Sequence, residues 1–258
     1  MTAVAEPDTV HFGLVELDLL AAHAGVPVPF PLRVPSFGRL AGERDVLLAT
    51  AGEALALRGL ADDRGPVGVA AEVVTALREQ RGTLDLVLAG ETGTTAVAAL
   101  VYRSSVLVFR QEPGDTRRLG VRRFADAALV AELLKLVPDL AAPVTMPITL
   151  PASAVTAVTG LPAEIGEQEM RELFRDHGAD PAALDNLVGL LVPLTGRGQL
   201  GATRAGRRTG PELSWLDGPK GRVRVDPAAD GWLSVNPLRR AAVRSALEEL
   251  ATIVRSPR

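Results

Sequence analysis

The apolar and polar positions of the chain follow two patterns, the spacing of a helix in some segments and the alternation of a strand in others. VAAEVVTALREQ, residues 69 to 80, has apolar residues at helical spacing, and the four segments after it alternate as strands do. These segments are TLDLVLAG, TTAVAALVYR, SVLVFRQE and TRRLGVRRF, and the helical segment FADAALVAELLKLVP comes next. The first half of the chain therefore predicts a helix, four strands and a helix.

The second half repeats this order. Asp180-Pro181 predicts the start of a helix through DNLVGLL, with Asp180 as its N-cap. The strand-like segments RGQLGATRA, PELSWLDG, GRVRVDP and GWLSVNP follow. Asn236-Pro237 predicts the start of a last helix, whose apolar stripe is Val243, Leu247, Leu250 and Val254. Because the strand connections are short enough for hairpins, the pattern favours antiparallel meanders over β-α-β crossovers.

Proline-rich segments lie outside both meanders. HFGLVELDLLAAHAG predicts a short strand and then a helix that ends at Gly25. VPVPFPLRVPSFGR predicts an extended strap on the surface, since its prolines exclude a helix. PVTMPITLP, residues 143 to 151, predicts a second strap that joins two halves of roughly 10–142 and 152–258. We therefore expect residues 1–258 to form a single domain of the α+β class.

The string GRGQLG, residues 196 to 201, has the glycine spacing of a dinucleotide-binding turn. That motif needs a buried strand before it and a helix after it. Here a predicted helix ends before it at Pro193, and the glycine- and arginine-rich stretch after it favours a strand. We interpret GRGQLG as the entry to the first strand of the second meander, where glycines permit close strand packing.

Composition narrows the classes of function. The chain has 258 residues, 47% of them hydrophobic, which is ample for a core. It has no cysteine, which excludes disulfides and cysteine metal sites, and its net charge of −3 argues against a protein dominated by nucleic-acid binding. The longest apolar run, LVGLLVPL, is too short to span a bilayer, and the first residues lack the apolar run of a signal peptide. We expect a cytoplasmic protein without stable membrane insertion.

The sequence lacks the motifs typical of catalysis. His11, His23 and His177 are far apart and none has a helical i, i+4 ligand partner. There is neither a G-x-S-x-G elbow nor a phosphate-binding G-x-x-x-x-G-K-[ST] loop, and the carboxylates fall at predicted caps, turns and solvated helix faces. We therefore predict no catalytic residue, no metal site and no cofactor. A small-molecule enzyme stays as an alternative, because a polar pocket is a property of the fold.

Clustered arginines favour a second alternative, a regulatory protein that binds nucleic acid. The clusters are Arg204, Arg207 and Arg208 on one predicted hairpin, Arg222 and Arg224 on the next strand, and Arg117, Arg118, Arg122 and Arg123 in the first half. Nucleic-acid binders usually combine such clusters with stacking aromatics, yet aromatics make up only 3% of this chain. Solvated sheet faces or an acidic protein partner are the simpler explanation.

Several strings, in order, resemble the EspG proteins associated with type VII (ESX) secretion in actinobacteria. They are VELDLLAAHAG, PFPLRVPSFGRLAGERDVLLATAGEALALRGL, LSWLDGPKGRVRV and GWLSVNP, and together they span nearly the whole chain. The resemblance implies a central, largely antiparallel sheet with quasi-two-fold symmetry, flanked by two helical bundles. That arrangement agrees with the duplicated order of helix, four strands and helix.

The resemblance also implies a function. EspG proteins are cytosolic chaperones that bind PE–PPE secretion substrates, keep them soluble and allow their export. The tip of the partner's helical bundle docks against the sheet and the C-terminal helical bundle, and a loop between early strands contributes.

On this chain the loop corresponds to the short segment 90–94, whose candidates are Glu91, Thr92 and Thr94. The candidates from the C-terminal bundle are Phe174, Leu187, Leu190 and Leu191, which also fit plain core packing. The expected partner is a PE–PPE-like heterodimer and not nucleic acid, and a homodimer stays open.

Overall fold

The computed structural model describes residues 9–38, 40, 42–114, 117–159 and 167–256. Eight α-helices lie within these residues: α1 Leu14–Ala24, α2 Glu43–Leu57, α3 Gly68–Glu79, α4 Leu129–Leu136, α5 Ala152–Thr159, α6 Glu167–Asp176, α7 Pro181–Leu191 and α8 Arg240–Arg255. The strands are β1 Val10–Gly13, β2 Ala61–Asp62, β3 Gly65–Pro66, β4 Gly82–Gly90, β5 Gly93–Tyr102, β6 Ser105–Gln111, β7 Arg118–Ala125, β8 Ile148–Pro151, β9 Gly196–Arg204, β10 Arg207–Gly218, β11 Gly221–Pro227 and β12 Trp232–Pro237.

Ten of these strands form one antiparallel sheet in the order β1-β7-β6-β5-β4-β9-β10-β11-β12-β8. The two meanders meet at its centre, where β4 pairs with β9 from Thr83 opposite Thr203 to Gly90 opposite Gly196. The predicted α+β class and the antiparallel sheet are thus confirmed. The predicted duplication and the two flanking bundles stay predictions.

One edge of the sheet differs from the sequence prediction. Residues 143–151 were expected to form only an extended strap, but Ile148–Pro151 is the edge strand β8, paired with β12 from Val235 to Trp232. The prolines that suggested a strap are compatible with this strand because an edge strand needs backbone donors on one side only. The strap character holds for residues 143–147, which have neither helix nor strand.

One face of the sheet packs against α4 and α8. Its core contains Leu84, Leu86, Leu200 and Trp215 from the central strands. The predicted stripe of the last helix is confirmed, because Val243, Leu247, Leu250 and Val254 are all buried in this core. The glycines of GRGQLG have the predicted role in β9: a Cβ at Gly198 would overlap the indole of Trp215, which lies directly against this backbone.

The opposite face carries two separate cores. One joins α1 and α3 to β5, β6 and β7 and includes Ala98, and the other joins α5, α6 and α7 to the second meander and includes Val223. The strand register shows that they share a face: Ala98 pairs with Asp85, while Val223 is in one row with Leu216, Arg197 and Ala89. Residues 85 and 89 of one strand point to the same side.

The two predicted helix starts have different outcomes. Asp180 is the N-cap of α7 as expected, and its carboxylate accepts a hydrogen bond from the Ala182 N–H at 3.0 Å. Asn236-Pro237 is not a helix start, because both residues belong to β12 and Pro237 lies opposite Val223. The chain stays extended until Leu238 is buried in the core, and α8 begins at Arg240. Strand pairing thus prevails over a local capping signal.

Candidate functional site

The residues predicted to bind a partner fall into two groups with different exposure. Glu91 and Thr92 form the tight turn between β4 and β5, Thr94 follows in β5, and all three are exposed. In the helices, Phe174, Leu190 and Leu191 are buried within the core of α5, α6 and α7, and Leu187 is half-buried against it. The side chains of these three buried residues hold the helices together, whereas the turn residues face solvent.

The connection that follows α7 nevertheless passes beside the β4–β5 turn at one end of the sheet. Gly90, at the end of β4, lies opposite Gly196, where β9 begins. Residues 192–195 connect α7 to Gly196, so they run beside the β4–β5 turn. Thr195 fixes this connection to β10, because its N–H and its hydroxyl both donate to the Asp217 carbonyl, at 2.9 and 3.1 Å.

Exposed apolar side chains are concentrated at this connection. Val188 lies near the end of α7, and Val192 and Leu194 follow it with 61% and 53% of their surface exposed. These residues were not among the predicted candidates, because DNLVGLLVPL is apolar almost throughout and has no period that separates its exposed from its buried face. Helix α7 ends at Leu191, so the residues after it leave the core.

Two glycines bring neighbouring segments against the β10–β11 turn. A Cβ at Gly218 would overlap the Leu190 carbonyl oxygen, and a Cβ at Gly221, where φ is +128°, would overlap the Ala141 carbonyl oxygen. The segment after Ala141 contains Val144 and Met146, whose side chains are also exposed. Apolar side chains therefore flank this turn on both sides. We call Val144, Met146, Val188, Val192 and Leu194 the apolar rim.

A buried ion pair supports the same turn from the α4 side. Arg222 donates from Nε and Nη2 to the two carboxylate oxygens of Asp217 at 2.7 and 2.8 Å, and from Nη1 to the Pro138 carbonyl at 3.1 Å. Its guanidinium lies 5.3 Å from the centre of the Trp215 ring, and only 1% of the Arg222 side chain is exposed. The expectation that Arg222 lies on a solvated sheet face is therefore wrong, because α4 and α8 cover this face too.

Polar side chains occupy the sheet between the two cores of the opposite face. The principal contact is the pairing of Arg208 with Asp85, and Arg208 also binds Glu212 through Nε at 2.7 Å. The same guanidinium lies 5.6 Å from the Phe30 ring, which belongs to the first proline-rich segment. We call this set the polar strip, and it comprises Thr83, Asp85, Gln199, Thr203, Arg208 and Glu212.

Sequence comparison identifies the protein family of this chain. The chain matches the EspG family (ESX-1_EspG) over residues 14–249, which is most of its length. The chain belongs to the EspG family. The resemblance found in the sequence is thereby confirmed, and with it the prediction of a non-enzymatic secretion chaperone.

A solved structure shares the EspG fold of this chain. It is the Mycobacterium tuberculosis type VII secretion system chaperone EspG5 in complex with a PE25-PPE41 dimer. The TM-score is 0.62 and the sequence identity 13%, and the match covers 94% of this chain and 95% of that chain. At this identity the likeness shows the common fold. Among curated protein sequences, none matches the chain.

The arginine clusters of this EspG protein are largely engaged in contacts of their own. Arg123 pairs with Glu72 at 2.9 Å and Arg224 with Asp226 at 2.6 Å, while Arg122 stacks on Phe124 at 4.7 Å. Together with Arg208 and Arg222, these side chains leave less positive charge for a polyanion than the sequence suggested. The structure thus disfavours the nucleic-acid alternative.

Other site types have little support in the described residues. Within these ranges, no group of three or more His, Asp or Glu side chains is placed to hold a metal ion. None of the described helices has the length and apolar character that a membrane span requires. His11 lies in β1, His23 in α1 and His177 just after α6, so these histidines belong to separate elements.

The fold shifts the pKa values of two aspartates in opposite directions. Burial raises the pKa of Asp85, and the adjacent Arg208 offsets this effect only in part. Burial also acts on Asp18, but there the hydrogen bonds from Arg44 and from the Phe37 N–H outweigh it and lower the pKa. These shifts predict how the free energy of unfolding changes with pH, because each carboxylate binds protons differently in the folded and unfolded states.

In the Asp85→Asn variant, we expect the free energy of unfolding to decrease less steeply with rising pH than in the wild-type chain. The pKa of Asp85 is raised in the folded state, so above the ordinary value of 3.8 the folded chain holds the Asp85 proton more tightly than the unfolded chain does. The contribution of Asp85 to the free energy of unfolding therefore decreases as the pH rises above 3.8. Urea unfolding between about pH 4 and 7 measures this slope. The control Asp18→Asn should lose a stabilisation present above 3.8; identical slopes for Asp85→Asn and wild type would contradict the assignment.

Proposed function

We propose that this EspG protein is a cytosolic type VII secretion chaperone that binds a PE–PPE-like heterodimer and keeps it soluble and export-competent. Family membership over residues 14–249 supports the role. The structurally similar EspG5 was solved with a PE25-PPE41 dimer, which supports this class of partner. The observation that carries the proposal is the apolar rim, which lies beside the β4–β5 turn at one end of the sheet.

The client surface consists of the apolar rim and the adjacent turn. Val192 and Leu194 form its centre, because both are more than half exposed and are held to β10 through Thr195. Glu91 and Thr92 supply polar contacts at its border, since β4 ends next to the start of β9. Phe174, Leu190 and Leu191 act indirectly by keeping α6 and α7 packed beneath the surface.

This surface can protect a client by covering its exposed apolar residues. Exposed apolar groups on two neighbouring segments can cover the apolar tip of a helical partner, which removes both surfaces from water and lowers the tendency of the partner to aggregate. Release at the export machine requires only moderate affinity, and a small surface of apolar side chains with a polar border is consistent with such affinity.

The proposed architecture is a duplication within one domain. The half of roughly 10–142 supplies five neighbouring strands of the sheet and begins with the edge strand β1. The half of roughly 152–258 supplies four, and the edge strand β8 directly before it completes a second group of five. The first half places α1, α2 and α3 between its edge strand and its meander, and the second half places α5, α6 and α7 there. This parallel order supports two related helical bundles. A homodimer has no comparable support.

We expect Val192→Asp/Leu194→Asp to weaken client binding at least about thirtyfold, as expected when central interface residues are lost. Two carboxylates would have to be buried against an apolar partner surface without partners of their own. Isothermal titration of the purified chain with a PE–PPE heterodimer from the same organism measures the affinity. Thermal unfolding shows whether the variant chain remains folded.

The matched control is Val46→Asp/Leu57→Asp, which places the same charges on exposed apolar residues of α2. Its affinity for the heterodimer should equal that of the wild-type chain. Equal affinity for the Val192→Asp/Leu194→Asp variant would exclude the apolar rim as the client surface. Absence of a complex with every PE–PPE pair of the organism would contradict the chaperone function itself.

A further inference from the structure

A second apolar depression lies in the other half of the molecule. Helices α1 and α2 and the β2–β3 hairpin enclose an open cavity of about 380 Å³. Its floor consists of apolar and small residues, namely Leu19, Leu48, Leu55, Ala56 and Gly52. The hairpin is fixed beside it, because the Leu60 N–H donates to the Leu55 carbonyl at 2.8 Å and the Val67 N–H donates to the Leu60 carbonyl at 2.9 Å.

The cavity leaves enough space at Gly52 for a side chain. A Cβ there would touch only the tip of Leu19, at 3.8 Å, which is an ordinary contact distance. An open depression lined by apolar residues between two helices and a hairpin is typical of a protein-binding groove.

The charge around the depression is negative. Arg44 of α2 binds Asp18 at 2.6 Å, and Arg58, which directly follows α2, binds Glu16 at 2.9 Å, so carboxylates of α1 neutralise both cations. The exposed carboxylates of α2 and the hairpin are Glu43, Asp45, Glu53, Asp62 and Asp63, and the hairpin also carries the guanidinium of Arg64. Asp62 and Asp63 stand at the border of the cavity itself. A partner with positive charge around an apolar centre complements this surface.

This surface is separate from the client surface. The residues of α1 and α2 belong to the core that includes Phe12 and Leu17, whereas α7 belongs to the core that includes Phe174. The polar strip lies between the two cores on the sheet. Occupation of one surface therefore leaves the other accessible.

We propose that the depression between α1, α2 and the β2–β3 hairpin is a docking site for a basic amphipathic helix of a second protein partner. An apolar side chain of that helix enters the cavity over Gly52, and its Lys or Arg residues face Asp62 and Asp63. Such a site would let the chaperone bind a second protein while it carries its client.

Two synthetic helices of about 18 residues, roughly five turns, test this proposal. Both have the same leucine face, and one has lysine and the other glutamate on the polar face. Fluorescence anisotropy of the labelled peptides with the full-length chain gives their affinities. We expect the lysine helix to bind at least about tenfold more tightly than the glutamate helix. Asp62→Asn/Asp63→Asn should weaken binding of the lysine helix about tenfold, and Gly52→Leu, which fills the cavity, should do the same.

The control for net charge is Glu248→Gln/Glu249→Gln on the exposed face of α8, which should leave the affinity for the lysine helix unchanged. Equal loss with this control, or no loss with Gly52→Leu, would overturn the proposal and indicate unspecific attraction. A groove occupied by a second copy of the chain would appear as a dimer in sedimentation and would also overturn it. Client binding by the Gly52→Leu variant should stay intact, so this test is independent of the proposed chaperone function.

Discussion

Replacing Arg222 by alanine should lower the free energy of unfolding by about 3–5 kcal/mol, the usual cost of breaking a buried ion pair from one side. Asp217, of which 8% is exposed, would lose both hydrogen bonds from the guanidinium and keep a charge away from water. The Pro138 carbonyl would lose its donor and the Trp215 ring its stacked cation. Urea unfolding monitored by Trp fluorescence measures the change.

The matched control is Arg224→Ala in the same strand. Arg224 pairs with Asp226 at 2.6 Å, but 41% of its side chain is exposed, so we expect a loss of only about 0–1 kcal/mol. The double variant Arg222→Met/Asp217→Leu should regain much of the stability, because no charge then stays buried alone. Equal losses for Arg222→Ala and Arg224→Ala would refute the view that burial makes the difference.

Gly218→Ala should cost about 1–3 kcal/mol of stability and also weaken client binding. A Cβ at this position would overlap the Leu190 carbonyl oxygen and come within 2.6 Å of the Leu191 Cα. Both are backbone atoms, so the end of α7 would have to move away from β10. Val192 and Leu194 follow directly and would move with it. Thermal unfolding and titration with the PE–PPE heterodimer measure the two effects.

Gly189→Ala in the same helix serves as the control. A Cβ at Gly189 meets nothing within 4 Å, and alanine is favoured over glycine inside a helix by about 0.5–1 kcal/mol. We therefore expect a small gain in stability and unchanged client affinity. A Gly218→Ala variant that binds the client like wild type would show that the position of α7 on β10 does not matter for the client surface.

Local patterns predicted most of the secondary structure. Alternation and short connections identified both meanders, and Asp180-Pro181 identified the start of α7, because these signals depend on neighbours in sequence. GRGQLG was recognised as part of a strand from what precedes and follows it. The failures have different causes. Ile148–Pro151 is a strand because it pairs with β12, which lies far later in the sequence. Asn236-Pro237 stays in a strand because the hairpin pairing of β12 with β11 extends over both residues.

Burial was harder to predict than secondary structure. Strand alternation puts Arg222 and Val223 on opposite faces of the sheet, but it could not show that α4 and α8 cover the face of Arg222. In α7 the almost continuous apolar run hid the difference between buried Leu190 and exposed Val192. Both cases depend on which elements lie above the sheet, and only the folded chain contains that information. The exposure of the β4–β5 turn was easier to predict, since turn residues usually face solvent.

The central pairing of β4 with β9 has a consequence for synthesis on the ribosome. All strands on one side of this junction come from residues 10–125, and all strands on the other side come from residues 148–237. The first half can therefore fold as soon as β7 leaves the exit tunnel, well before β9 is translated. Until then the full length of β4 is an open edge, and nascent chains on neighbouring ribosomes could pair through it. Pausing before β9 would thus favour co-translational misassembly, whereas rapid elongation into the second half protects the chain.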